Sequence, residues 1–244
     1  METKTNKTAP RNPSRRNFIK IGGVGLVVTG LTLAGCSDDD DGNNTGNPNN
    51  NELPGMRNGV FDFGGGDLGI MTFSYALEQL AAAFYTRLVN HQGFASTFNE
   101  EEQEVLTDIY AHEIIHREFF RDLLRNRLPN PDTQLLPNLE FSFTGVNLGD
   151  RNAVLQMAQM LEDTGIAAYN GSGHMIQEEE NLNLAGKIVS VEGRHASAIR
   201  SMIDPDSGNF APTPLDPALA PSQVIAQINS LQLITTPFSA TYLS

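Results

Sequence analysis

The chain has 244 residues, with 29 acidic side chains, 16 basic ones and a single cysteine. A formal charge of −13 excludes a general nucleic-acid binder, which needs a basic face against phosphates. One cysteine excludes an intramolecular disulfide framework and a four-cysteine zinc site, while 39% hydrophobic residues suffice for a buried core.

Six basic residues, Lys4, Lys7, Arg11, Arg15, Arg16 and Lys20, precede an apolar run over 21–34. That run is shorter than the ~20 apolar residues that span a bilayer. A charged start before a short apolar stretch reads as an export signal over 1–35. Within it, Ser14-Arg15-Arg16-Asn17-Phe18-Ile19-Lys20 resembles the twin-arginine export motif, Ile19 being the one departure. Leu33-Ala34-Gly35-Cys36 resembles the bacterial lipobox, in which cleavage precedes the cysteine and the thiol takes a lipid. A lone cysteine is usually a buried thiol. Here Ser37-Asp38-Asp39-Asp40-Asp41 follows at once and cannot pack in a core. A cysteine followed by serine and an acidic run also resembles the surface-export tag of certain bacterial lipoproteins. These resemblances imply twin-arginine export and anchoring to a membrane through lipidated Cys36. They place the protein in the cell envelope, with the outer membrane or the cell surface as an end point.

Residues 37–52 are almost all Asp, Asn, Gly, Ser and Thr, and bury too little apolar area to offset ordering. They predict a solvated tether with a root-mean-square reach of roughly 20–25 Å. The tether segment as a whole is assigned to 36–66.

From Asp67 onward the apolar spacing is helical. Ile70, Phe73, Leu77, Leu80, Phe84 and Leu88 recur at steps of three and four. Asp67 is the expected N-cap of this helix, with Gly93 beyond its end. A second helix is expected over 99–128, capped by Asn99, with Glu100, Glu101 and Glu102 at the positive end of its dipole. Pro129 and Pro131 stop it. The stretch 129–148 has no helical period and is long for a connection, so it reads as a crossover between two helix pairs. Helices are then expected over 150–176 and 179–202, with Asp204-Pro205 ending the last. The tail 204–244 is rich in proline and carries one short amphipathic segment, 221–233. Whether it packs on the bundle is left open by the sequence.

Each long helix carries an ionisable residue on its apolar stripe. They are Glu78 in the first, Glu113 and His116 in the second, Glu162 in the third, and Glu192 and His195 in the fourth. A carboxylate inside such a stripe costs several kcal/mol unless it is paired or bound to metal. Glu and His at i and i+3 share one helical face and can reach one ion. That unit occurs twice, as Glu113-x-x-His116 and Glu192-x-x-His195, each after a helix with a lone stripe Glu. The halves also look duplicated: Leu77-Glu78 with Tyr85 matches Leu161-Glu162 with Tyr169. Tyr85 and Tyr169 read first as core aromatics, and also as hydrogen-bond partners of ligand carboxylates. His91, His112 and His174 read as surface residues, His112 being turned ~100° from Glu113 around its helix.

This pattern resembles the ferritin-like superfamily, closest to the exported bacterial ferritin-like domain proteins of the desiccation-related type. The resemblance covers 67–203. It implies an all-α, ferritin-like four-helix bundle, two antiparallel pairs joined by the long crossover. It also implies a di-iron or di-manganese site, iron favoured. Glu113 and Glu192 would bridge two ions, with Glu78, Glu162, His116 and His195 as terminal ligands. The function it implies is an oxidoreductase acting on O₂, peroxide or ferrous iron. The alternative is a non-enzymatic envelope or stress-protection bundle with structural metal or none.

Overall fold

The computed structural model describes residues 51–243. The export motif, Cys36 with its lipobox and the acidic run after it lie outside the described residues. Four long helices form the body of the fold. They are α1 (Gly66–Val89), α3 (Glu100–Arg127), α5 (Arg151–Ser172) and α6 (Glu179–Ile203). Short helical turns α2 (Phe94–Thr97) and α4 (Pro131–Gln134) lie between them, and α7 (Pro221–Ser230) follows in the tail. Helix α1 packs mainly on α3, and α5 on α6. The links within each pair are short, which makes each pair antiparallel. Among the described residues no helix is long and apolar enough to cross a membrane.

The helix starts follow from local chemistry. Asn99 Oδ1 accepts from the Glu102 N–H at 2.9 Å, and Glu102 Oε2 accepts from the Asn99 N–H at 3.1 Å. This reciprocal pair satisfies two donors that an open first turn would leave bare. Asp150 caps α5 by accepting from the Ala153 N–H at 3.0 Å. Asp67 behaves otherwise than expected. The cap of α1 is Gly65, and Asp67 sits inside the first turn with its carboxylate turned to α6. It accepts from the backbone N–H groups of Gln177 (2.8 Å) and Glu178 (3.0 Å) and from Asn181 Nδ2 (2.7 Å). Asp67 therefore caps a neighbouring helix, a role that only the tertiary fold creates. The third long helix also ends earlier than expected. It stops at Ser172 and continues as a 3₁₀ turn, Gly173–Met175.

Residues 55–62, expected within the tether, form a hairpin instead. Strands β1 (Gly55–Arg57) and β2 (Val60–Asp62) pair antiparallel. Between them Asn58 and Gly59 both have positive φ, 51° and 79°. That is the two-residue turn whose twist matches the strands it joins. Phe61 and Phe63 are buried, and β3 (Phe238–Ser239) from the tail adds parallel to β2. The apolar residues that order this segment lie after the polar run that suggested a tether.

The tail packs on the bundle. Glu140 O accepts from the Thr235 N–H at 2.9 Å, and Leu233 O accepts from the Ser142 N–H at 2.9 Å, so the tail pairs with the crossover. Gln79 of α1 holds the crossover from below, donating to Pro137 O and accepting from the Leu139 N–H. Val224 and Ile228 of α7 are buried, and the Leu219 N–H donates to Ala167 O of α5 at 2.9 Å. Gly171 permits this approach: a Cβ there would stand 1.9 Å from Leu219 O.

Candidate metal centre

Helical phase brings Glu78, Glu113, His116, Glu162, Glu192 and His195 together in the core between the two pairs. All six are at least nine-tenths buried, Glu113 completely. They fall into two groups of four. One is Glu78, Glu113, His116 and Glu192; the other is Glu113, Glu162, Glu192 and His195. Within each group the candidate donor atoms lie within 4.8 Å of one another. That is close to the ~4–4.4 Å that opposed ligands with bonds of about 2.0–2.2 Å would span. Glu113 and Glu192 belong to both groups, the position that the family resemblance gives to bridging carboxylates.

The donors face a common interior. His116 Nδ1 lies 2.9 Å from Glu192 Oε1 and 3.6 Å from Glu78 Oε2. His195 Nδ1 lies 2.9 Å from Glu113 Oε1 and 3.5 Å from Glu162 Oε2. These contacts are short, yet both Nδ1 atoms, both Glu113 oxygens and Glu192 Oε1 have no hydrogen-bond partner of acceptable geometry. Atoms that approach one another without aligning donor to acceptor are aimed at a shared point. A buried polar atom left so costs about 1–3 kcal/mol, more for a charged one. The donor set of carboxylate oxygens and imidazole nitrogens suits iron or manganese, and a divalent cation would relieve both the desolvation and the mutual repulsion.

Protons are the other way to relieve that charge. Burial, reinforced by the Glu192 charge, raises Glu113 well above the ordinary carboxylate range. Burial and the Glu192 charge also raise Glu78. Burial pushes Glu162 up to about 7 against the pull of His195. For His116, burial lowers the value, but Glu192 and Glu78 outweigh it and raise the imidazole to about 9. The four carboxylates cannot all be ionised together without compensating cations or protons.

Tyr85 and Tyr169, also expected as core aromatics, meet two of the candidate ligands directly. The Tyr85 hydroxyl donates to Glu162 Oε1, and the Tyr169 hydroxyl to Glu78 Oε1, each at 2.5 Å. A cavity of about 30 Å³ lies among the four carboxylates, Glu78, Glu113, Glu162 and Glu192. Leu77, Ala81, Leu161 and Gly165 line its walls, together with Ile228 of the tail. The small residues Ala81 and Gly165 sit three after the lone Glu of each half and leave this space open. Nothing local in the sequence ties Ile228 of α7 to the centre. His91 and His174 lie toward the surface as expected. His112 is exposed too, but it is not remote: its Nδ1 lies 2.9 Å from His195 Nε2. Its partner arrives from α6, which the spacing on α3 does not reveal.

Two antiparallel helix pairs joined by a long connection, each bringing a lone Glu and a Glu-x-x-His unit to one buried cluster, define a carboxylate–histidine bundle compatible with a di-metal site. The chain belongs to the ferritin-like family: the model of the ferritin-like domain matches residues 66–205. No curated protein matches the chain.

Proposed function

We propose that this is an exported, lipid-anchored ferritin-like oxidoreductase of the desiccation-related type, whose di-iron or di-manganese centre acts on O₂, peroxide or ferrous iron. The observation that carries this reading is the pair of four-residue groups sharing Glu113 and Glu192, with five unpartnered buried donor atoms between them. Two iron ions, the favoured cofactor, or two manganese ions would supply the two-electron redox chemistry that such oxidants need. The protein's own contribution is to hold the donors in a buried core. Tyr85 and Tyr169 hydrogen-bond Glu162 and Glu78, and the cavity among the four carboxylates has room for a small molecule. A volume of about 30 Å³ accommodates one or two water-sized molecules, which favours O₂ or hydrogen peroxide over a bulky oxidant.

Residues 14–20 and 33–36 support the rest of the reading. Twin-arginine export carries folded proteins, so metal would be acquired before release. Lipidated Cys36 would hold the domain in the envelope, at the outer membrane or cell surface. Retention of Cys36→Ser in the membrane fraction would count against that anchor.

The test is metal analysis of protein folded in the cell, followed by peroxide-consumption and ferrous-oxidation assays. Bound iron or manganese with turnover supports the oxidoreductase. Bound metal without turnover returns the protein to a structural role in envelope or stress protection.

A further inference from the structure

One side chain outside the core reaches a ligand. His112 stands on the exposed edge of α3, one residue before Glu113, and its Nδ1 lies 2.9 Å from His195 Nε2. The two ring planes are within 12° and their centroids are 5.2 Å apart. That separation matches the N···N distance plus the two ring radii. The rings therefore lie end to end in one plane, the geometry of an in-plane hydrogen bond, and not face to face.

His195 thus has two distinct sides. Its Nδ1 faces Glu113 and Glu162 in the cluster, and its Nε2 faces His112. A ring nitrogen that binds a cation must offer its lone pair, so the proton of the neutral ring resides on the other nitrogen. A cation at His195 Nδ1 requires Nε2–H, which donates to His112 Nδ1. His112 then keeps its own proton on Nε2. The bond fixes both the tautomer and the ring plane of the ligand.

Among the described residues, the other half lacks this device. His116 Nδ1 faces Glu192 and Glu78 in the same manner. The residue that precedes Glu192, where His112 precedes Glu113, is Val191, which cannot accept a hydrogen bond. The duplication that relates the two Glu-x-x-His units is broken at this position.

We propose that His112 is a positioning residue for His195, making the two metal positions unequal: the cation held by Glu162 and His195 binds more tightly than the one held by Glu78 and His116. This rests on the two-metal reading of the centre.

The test is an oxygen-free calorimetric titration of Fe²⁺ into the metal-stripped full chain. The wild type is expected to bind two ions in two resolved steps, with His195→Ala losing the tighter one. His112→Leu keeps bulk on an exposed edge. It is expected to weaken the tighter step by about 10–100-fold and leave the other unchanged. His112→Gln, whose amide oxygen can accept from Nε2–H, is expected to restore most of the loss. Two wild-type steps in His112→Leu overturn the proposal and leave the two-metal reading intact, as does His112→Gln behaving like His112→Leu. A wild type that binds no Fe²⁺ overturns the two-metal reading, and the proposal with it.

Discussion

Tyr85 on α1 donates its hydroxyl to Glu162 on α5, and the relation is reciprocated by Tyr169 on α5 to Glu78 on α1, each at 2.5 Å. Each half of the bundle orients the lone carboxylate of the other. Burial, with the charge of the facing carboxylate, raises both phenols well above their ordinary value. They therefore stay protonated and act as donors. Removing one donor frees the carboxylate that it aims. On the two-metal reading, Tyr85→Phe is expected to weaken the ion proposed at Glu162 and His195 by about 10–100-fold, and Tyr169→Phe the one proposed at Glu78 and His116. Metal titration of the two variants checks this. Equal weakening of both ions in either variant would show that the tyrosines act on the bundle as a whole.

Acid stability is set partly away from the centre. Glu102 caps α3 and also accepts from Arg151 Nε at 2.8 Å, while Arg151 donates to Met202 O at 2.6 Å. Burial raises the Glu102 carboxyl, but Arg151 and the Asn99 N–H outweigh it, and the net value lies below the ordinary 4.5. The unfolded chain then takes up the proton more readily than the folded one. The stabilisation is thus full above 4.5 and lost as pH falls through the folded value. Glu102→Gln is expected to cost about 1–2 kcal/mol near neutral pH, discounted for the partly exposed Arg151. In denaturant melts the gap to wild type should begin to narrow below 4.5 and close once pH has fallen past the folded value.

The cavity sets what can approach. A Cβ on Gly165 would meet nothing within 4 Å, so Gly165→Ala is tolerated in space. It should stabilise α5 by about 0.5–1 kcal/mol through lower unfolded-state entropy. Gly165→Val fills the cavity and is expected to keep the full metal content while slowing oxidant consumption. Ile228→Ala opens it and is expected to admit bulkier hydroperoxides. Metal content and rates with hydrogen peroxide and an organic hydroperoxide, measured side by side, separate the two effects.

Gly171 holds the tail against α5. With Leu219 O so close to where a Cβ would stand, Gly171→Ala must displace the strap that carries α7. The expected cost is about 1–3 kcal/mol, as for other overpacked positions. Limited proteolysis should then cut the tail faster, with the helices of the bundle left intact.

The four long helices were legible because their apolar residues recur at helical steps, and the six core donors because charge interrupts that stripe. Asn99 was legible as a cap because its partner Glu102 is local. Asp67 was not, because its partners are 110 and more residues away. Asn58-Gly59 was a readable turn signal, masked by the polar run before it. The place of Ile228 in the cavity lining and the contact of His112 with His195 depend on which helix arrives next to which, and no single-helix period carries that.

The most direct measurement is the metal content of protein folded in the cell. Two iron or manganese ions per chain are expected, both lost in Glu113→Ala and in Glu192→Ala, because these residues belong to both groups. A wild-type protein that is metal-free and as stable as after metal loading would contradict this.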